Sequence, residues 1–295
     1  MSRYLDPKSD VVFKRVFGDH PKLLKSFLNA VLPLAPGHEI VELTHLSPEH
    51  VPIIHVLRRT IADVQCTDQA GRVFIVEMQI NWNNSFKQRL LFESGQAIVK
   101  QLEKGEDYHL LQPVYGLGLI GEAFDPEPSI WYHHYQLINV MKPTRDVIEH
   151  LQLVFVELPK LPVQSRDIKK LRLLWLRFMR EIDHKTKEVD PELLSVPEIQ
   201  QAVSLAEEAA YTPGELISYE QYWDQISREK TLLLGGHRDG LAQGLAQGRA
   251  EGILEAKLAM AQSLQNQNFP LELIKNVTKL SDQEWLTFIQ SKNSL

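Results

Sequence analysis

The sequence predicts an α/β fold: a mixed sheet flanked by helices, followed by a helical C-terminal extension. Three observations predict it. Helix-like and strand-like periodicities alternate along the first two thirds of the chain, in the order helix, strands, helix, strands. The stretch from Arg58 to Ile80 folds back on itself, two β-branched runs around a turn signal. From Glu215 onward the segments read as helices, with a glycine recurring every fourth residue from Gly236 to Gly252.

Each element has its own signal. Val12, Phe13, Val16 and Phe17 fall at helical spacing after Asp10, and Gly18 supplies a stop. Pro21 suits the first turn of a second helix, with Leu23, Leu24, Phe27, Leu28 and Val31 inward. Glu39 to Leu46 reads as a first strand, and Ser47 to Leu57, with Pro48 and Pro52, as a loop. Asn81 to Ser85 offers capping side chains for a helix from Phe86 to Lys104, stopped by Gly105. On it Leu90, Leu91, Ala97, Ile98 and Leu102 form the core side, while Arg89 and Gln96 are placed to face a site. Pro113 to Gly121 is apolar and glycine-containing, a buried strand with close neighbours. Ile130 to Val140 and Gln152 to Glu157 are further strands; adjacent His133 and His134 point to opposite faces and cannot share an ion. Ser165 to Lys187 is an amphipathic helix with Ile168, Leu171, Trp175, Phe178, Met179 and Ile182 on its apolar side.

The hairpin carries the chemistry. Ile61 to Thr67 and Val73 to Ile80 are its strands, and Asp68-Gln69-Ala70-Gly71 its turn. With a three-residue loop, paired positions sum to 140, so Asp63 opposes Glu77, with Cβ atoms about 4.5–5.5 Å apart. Gln79 shares that face, because successive side chains alternate. Two carboxylates this close raise each other's pKa unless a cation lies between them. A divalent ion with oxygen ligands, such as Mg²⁺, suits that position and could activate water for phosphoryl chemistry. The alternative is a hairpin whose solvent face carries ordinary acids.

The spacing of Asp63 from Glu77-Met78-Gln79 resembles the active-site hairpin of the PD-(D/E)XK nuclease superfamily. The opening LDPKSDVVFKRVFG (Leu5 to Gly18), the segment LEKGEDYHLLQPVYGLGLI (Leu102 to Ile120) and the glycine-repeat tail are similar to one branch, the recombination-promoting nuclease or putative transposase family. The resemblance implies a restriction-endonuclease-like fold and a metal-dependent DNA endonuclease acting in recombination or in mobile-element or phage-related processes. Asp63 and Glu77 would hold Mg²⁺ or Mn²⁺, the Met78 carbonyl could add a ligand, and Gln79 would orient the attacking water. Asp10 is a candidate further ligand, since an acid on the first helix often joins the hairpin acids in this superfamily. It is equally readable as a solvated acid favoured by the helix dipole. Gln79 departs from the superfamily's usual lysine, and an amide positions water without lending a cation.

Composition narrows the partners. The net charge is −6, so attraction to DNA must be local. From Lys160 to Lys187 there are nine Lys or Arg against three acids, which makes Lys169, Lys170, Arg172 and Arg177 candidate phosphate contacts, together with Arg89. Cys66 is the only cysteine, which excludes an intramolecular disulfide and argues against a zinc–thiolate site; a buried inert thiol is expected. No apolar run reaches membrane-spanning length and no signal-peptide core opens the chain, so a cytoplasmic protein without a membrane partner is expected. The segmentation read from the sequence is a nuclease-like domain at 1–234, a glycine-repeat helix or tether at 235–258, and a small helical module at 259–295. Five glycines in one helix forfeit about 4–5 kcal/mol against alanine, so the repeat reads either as a helix packed on a second copy, giving a homodimer, or as a flexible tether. Pro270 opens one helix of the last module, and Ser281 with Glu284 makes a capping box for the next. A reading from another class keeps the fold but not the catalysis: an interaction protein that assembles through its C-terminal helix.

Overall fold

The computed structural model describes residues 3–46, 64–103, 105–143, 146–162 and 169–290. Asp63, the predicted loop at 47–57, and residues 165–168 of the predicted basic helix lie outside these residues. By internal contacts the chain divides into Met1–Ser227 and Arg228–Leu295.

The first unit is built on a six-stranded sheet in the order β1-β2-β3-β4-β6-β5. Its strands are β1 (Leu43–His45), β2 (Val64–Asp68), β3 (Val73–Gln79), β4 (Val114–Ile120), β5 (Tyr132–Ile138) and β6 (Val147–Glu157). β3, β4 and β6 run parallel, while β1, β2 and β5 pair antiparallel at the flanks. This is the predicted α/β mixed sheet. Parallel neighbours need a long crossover, and between β3 and β4 it is helix α3 (Phe86–Val99).

Register explains which residues go where. Across the parallel strands Glu77 pairs with Gly118 and Gly118 with Phe155. These positions share the face covered by α3, with Val73, Ile75, Phe86, Leu90, Ile120 and Leu153 in one apolar cluster. The alternate residues, Phe74, Val76, Leu117, Leu119, Val154 and Val156, face the larger cluster on the other side. That cluster is made with α1 (Asp10–Phe13), α2 (Pro21–Val31), α4 (Lys170–Glu181) and α5 (Pro197–Leu205). Phe17, Phe27 and Trp175 meet there with ring centres 4.8–5.8 Å apart.

Several boundaries differ from expectation. The first strand contracts to Leu43–His45. Upstream of it, the Ile40 amide and carbonyl bond the Asn29 side chain and the Val41 amide bonds Gln69, so side chains satisfy this backbone. α3 ends at Val99, short of Lys104, and its Leu91 is exposed. After α1 the backbone continues as a π-turn, Lys14–Gly18, which keeps Val16 and Phe17 buried. The long strand β6 begins at Val147, earlier than the apolar run, because β5 extends alongside it through Val147 and Ile148.

The opening segment is an anchor. Ser9 caps α1 and donates its hydroxyl to the Asp6 carbonyl at 2.8 Å. Lys8 pairs with Asp6 at 2.8 Å and donates to the Met179 carbonyl, while Tyr219 and Tyr222 bond the Asp6 amide and Lys8 carbonyl. Burial pushes the Asp6 carboxyl up, against the opposing pull of Lys8.

Helix α6 runs continuously over Pro213–Asn266, so the predicted helix from Glu215 and the glycine repeat are one element. In the second unit its later turns pack Ala261 with Ile274 of α7 (Leu271–Thr278) and Trp285 and Phe288 of α8 (Asp282–Gln290). The predicted capping box forms: the Ser281 amide donates to Glu284 at 2.7 Å and the Glu284 amide to Ser281 Oγ at 3.3 Å. No helix among the described residues is long and apolar enough to cross a membrane.

Candidate active site

The hairpin turn is locked by its own ends. Asp68 Oδ1 accepts from the Ala70 and Arg72 amides, and Oδ2 from Arg72 Nε at 2.7 Å. Gly71 takes φ 80°, which any other residue would adopt at a cost. The pairs Val64–Val76, Gln65–Ile75, Cys66–Phe74 and Thr67–Val73 follow. They are the register that the pairing of Asp63 with Glu77 requires. Cys66 is buried, and burial pushes its thiol up to about 12, the inert thiol expected.

At the C-terminal end of β3, Glu77, Gln79 and Asn81 are all buried. Arg89, one turn into α3, donates Nε and Nη2 to Glu77 Oε2 at 3.2 and 2.8 Å, and Nη2 also reaches Gln79 Oε1 at 2.7 Å. The Gln79 amide nitrogen donates to the Asn81 carbonyl at 2.8 Å, and Asn81 Nδ2 donates to the Ile226 carbonyl of α6 at 3.0 Å. Glu77 Oε1 receives no hydrogen bond from any described residue, although the side chain is only 5% exposed. A carboxylate oxygen that the described residues leave open in such a place suits a divalent cation with oxygen ligands. Among the described residues, no group of three or more His, Cys, Asp or Glu is placed to hold an ion. The described part of the site therefore contributes one carboxylate and the Gln79 amide.

Glycines in β4 set the height of α3. A Cβ at Gly118 would stand 2.8 Å from the Phe86 ring, and one at Gly116 would stand 2.7 Å from Ser94 Oγ. The helix thus lies against bare backbone, which brings Arg89 within reach of β3. This is the close approach that the glycines of the predicted strand implied.

The other expected residues distribute differently. Asp10 pairs with Lys14 at 2.8 Å, and among the described residues no hydrogen bond or ion pair joins it to β3. Gln96 is exposed. Arg172 donates to the Ala30 carbonyl and lies over the Tyr132 ring, and Arg177 is enclosed by Glu181, Asp190 and Glu192. Lys169 and Lys170 are exposed, with Lys170 3.7 Å from Glu192. All four belong to the α4 side of the sheet, opposite the face that carries Glu77 and Arg89.

Some neighbours of the site escaped sequence reasoning. Glu93, four residues beyond Arg89 on the same helix face, has both carboxylate oxygens shielded from solvent. Lys87 places its ammonium 4.1 Å from the Phe124 ring centre and donates to the Tyr135 hydroxyl. Trp82 stacks on Phe124 at 4.3 Å. Two strands away, Glu157 accepts from His133, Lys160 and the Phe124 amide, which fixes the segment after β4. Only the helical spacing of Arg89 and Glu93 was available to flag any of these.

Neither the curated proteins nor the solved structures contain a match to this chain. A family model described as PD-(D/E)XK nuclease family transposase matches residues 7–232, a span that holds the whole sheet, the Glu77–Gln79–Arg89 cluster and Ile226. With the mixed sheet and the acid-bearing hairpin in place, the chain belongs to that nuclease family.

Proposed function

We propose that the chain is a metal-dependent DNA endonuclease in which Asp63 and Glu77 hold Mg²⁺ or Mn²⁺, acting in recombination or mobile-element processes. The observation that carries this reading is Glu77 itself, buried at the end of β3 with Oε1 left without a hydrogen bond from a described residue. When bound, such an ion supplies an activated water and positive charge to the phosphodiester. The chain's own groups do the rest. The Met78 carbonyl offers a further oxygen beside the two carboxylates. The Gln79 amide already uses its oxygen on Arg89 and one N–H on Asn81, which fixes its plane; the described residues leave one N–H and one lone pair to orient water. Lys169 and Lys170 are exposed on the α4 side, away from Glu77, and Arg172 and Arg177 support α4, so the local contact for DNA at this site falls to Arg89.

Supercoiled plasmid tests this. Nicking should require Mg²⁺ or Mn²⁺, stop with EDTA, and fall by about 100-fold in Asp63→Asn or Glu77→Gln. Cleavage that persists in EDTA, or at the wild-type rate in either variant, would sink the assignment. One observation favours the non-catalytic reading: among the described residues no atom outside the helix's own backbone lies within 4 Å of a Cβ built on any glycine of α6, so that helix offers an open face for assembly. A folded protein that neither binds divalent ions nor nicks DNA would decide for it.

A further inference from the structure

We propose that Arg89 is the resident cation of this site: it balances Glu77, holds Gln79, and presents its remaining edge to a phosphodiester oxygen. The inference deepens the endonuclease reading and rests on it.

The argument begins with charge. β3 brings a carboxylate, Glu77, and a neutral amide, Gln79, to the same face, and neither can offset the negative charge of an incoming phosphate. The guanidinium of Arg89 is the group in contact with both. Its hydrogen bonds use Nε and Nη2, and both bonds to Glu77 end on Oε2. Oε1 is thereby left for an ion, and the arginine and the ion can share one carboxylate without displacing each other. Nη1 has no bond to a described residue, and the side chain is 31% exposed, against 5% for Glu77. A planar guanidinium fixed on one edge and free on the other is the geometry that suits phosphate oxygens. The plane is held from a second direction, since the guanidinium carbon lies 5.0 Å from the Phe86 ring centre. Phe86 in turn rests on Gly118, so the cation is carried by one of the close contacts of the helix with the sheet.

A structural ion pair and a working cation make different predictions, and relocating the charge separates them. Arg89→Met removes the charge, Gln79→Lys adds one at the point Arg89 now touches, and the double variant moves the charge from helix to strand. Arg89→Met should cleave plasmid about 100-fold more slowly while still binding Mn²⁺ in calorimetry, because the oxygen ligands remain. Gln79→Lys alone should also cleave more slowly than wild type, because an ammonium then stands against the guanidinium. The double variant should cleave about tenfold faster than Arg89→Met. Arg89→Lys should fall between wild type and Arg89→Met, with circular dichroism confirming that each variant folds. Cleavage by Arg89→Met within threefold of wild type, or a double variant no faster than Arg89→Met, overturns the proposal. A wild type that binds no Mn²⁺ overturns the endonuclease reading itself, and the role of Arg89 falls with it.

Discussion

Arg177 is a cation with no free face. Its Nε and Nη2 bond Glu181 at 3.0 Å, Nη2 reaches Asp190 at 2.6 Å, and Nη1 reaches Glu192 at 2.7 Å. Burial would push the Glu181 carboxyl up, but hydrogen bonds and charge from Arg177 and Arg180 bring it below its ordinary value. Asp190 is lowered as well, first by the Glu192 amide and then by Arg177. Both acids bind protons less readily folded than unfolded. The stability they add is therefore complete above the ordinary carboxylate range and lost as pH falls through the depressed folded values. Arg177→Met should lower the urea midpoint at pH 7 and flatten its fall between about pH 5 and pH 3. Parallel curves for variant and wild type would remove the cluster from the acid response. A basic stretch in the sequence offers all four cations to DNA; of the acids that claim Arg177, only Glu181 stands at helical spacing, while Asp190 and Glu192 lie 13 and 15 residues downstream, beyond any local pattern. Glu77, Gln79 and Arg89 were legible because strand alternation and helix spacing fix directions. The contact between Arg89 and Glu77 was not, since it depends on the height of a helix above a sheet.

That height is a property of elements. β4 carries glycine at both positions under α3, and the helix fits only because those side chains are missing. Gly118→Ala should cost about 1–3 kcal/mol in a denaturant titration, since the Cβ would meet the Phe86 ring and the neighbouring Phe155. Its effect on cleavage should exceed that of an equally destabilising change on the α4 side, because Phe86 and Arg89 share a helical turn. Equal losses of activity at equal stability would show that the spacing is not tuned to the site. The apolar patterns of α2 and α4 and the capping of α8 were plain in the sequence, because each depends on neighbours within one element. The start of β1 was not, because the side chains of Asn29 and Gln69, from elsewhere in the chain, satisfy the backbone before it.

For the whole molecule the open matter is assembly. The glycines of α6 leave its backbone bare along one side, with Leu241, Leu245 and Ile253 exposed nearby. A helix that forfeits about 4–5 kcal/mol in propensity gains most from a partner whose backbone can approach closely. We expect the full chain to run as a dimer in light scattering and a truncation after Leu234 to run as a monomer. A full chain that is monomeric at micromolar concentration would overturn this expectation.

The bond from Asn81 to Ile226 also sets a timetable for synthesis. The two residues are 145 positions apart. At ordinary ribosomal speed that separation corresponds to roughly 7–30 s. For nearly all of that interval Glu77, Gln79 and Arg89 have been made, while the carbonyl that anchors Asn81 does not yet exist. A nascent chain therefore holds its acid and its arginine before it holds the brace behind them, and the site reaches its final form only as the last turns of the first unit leave the ribosome.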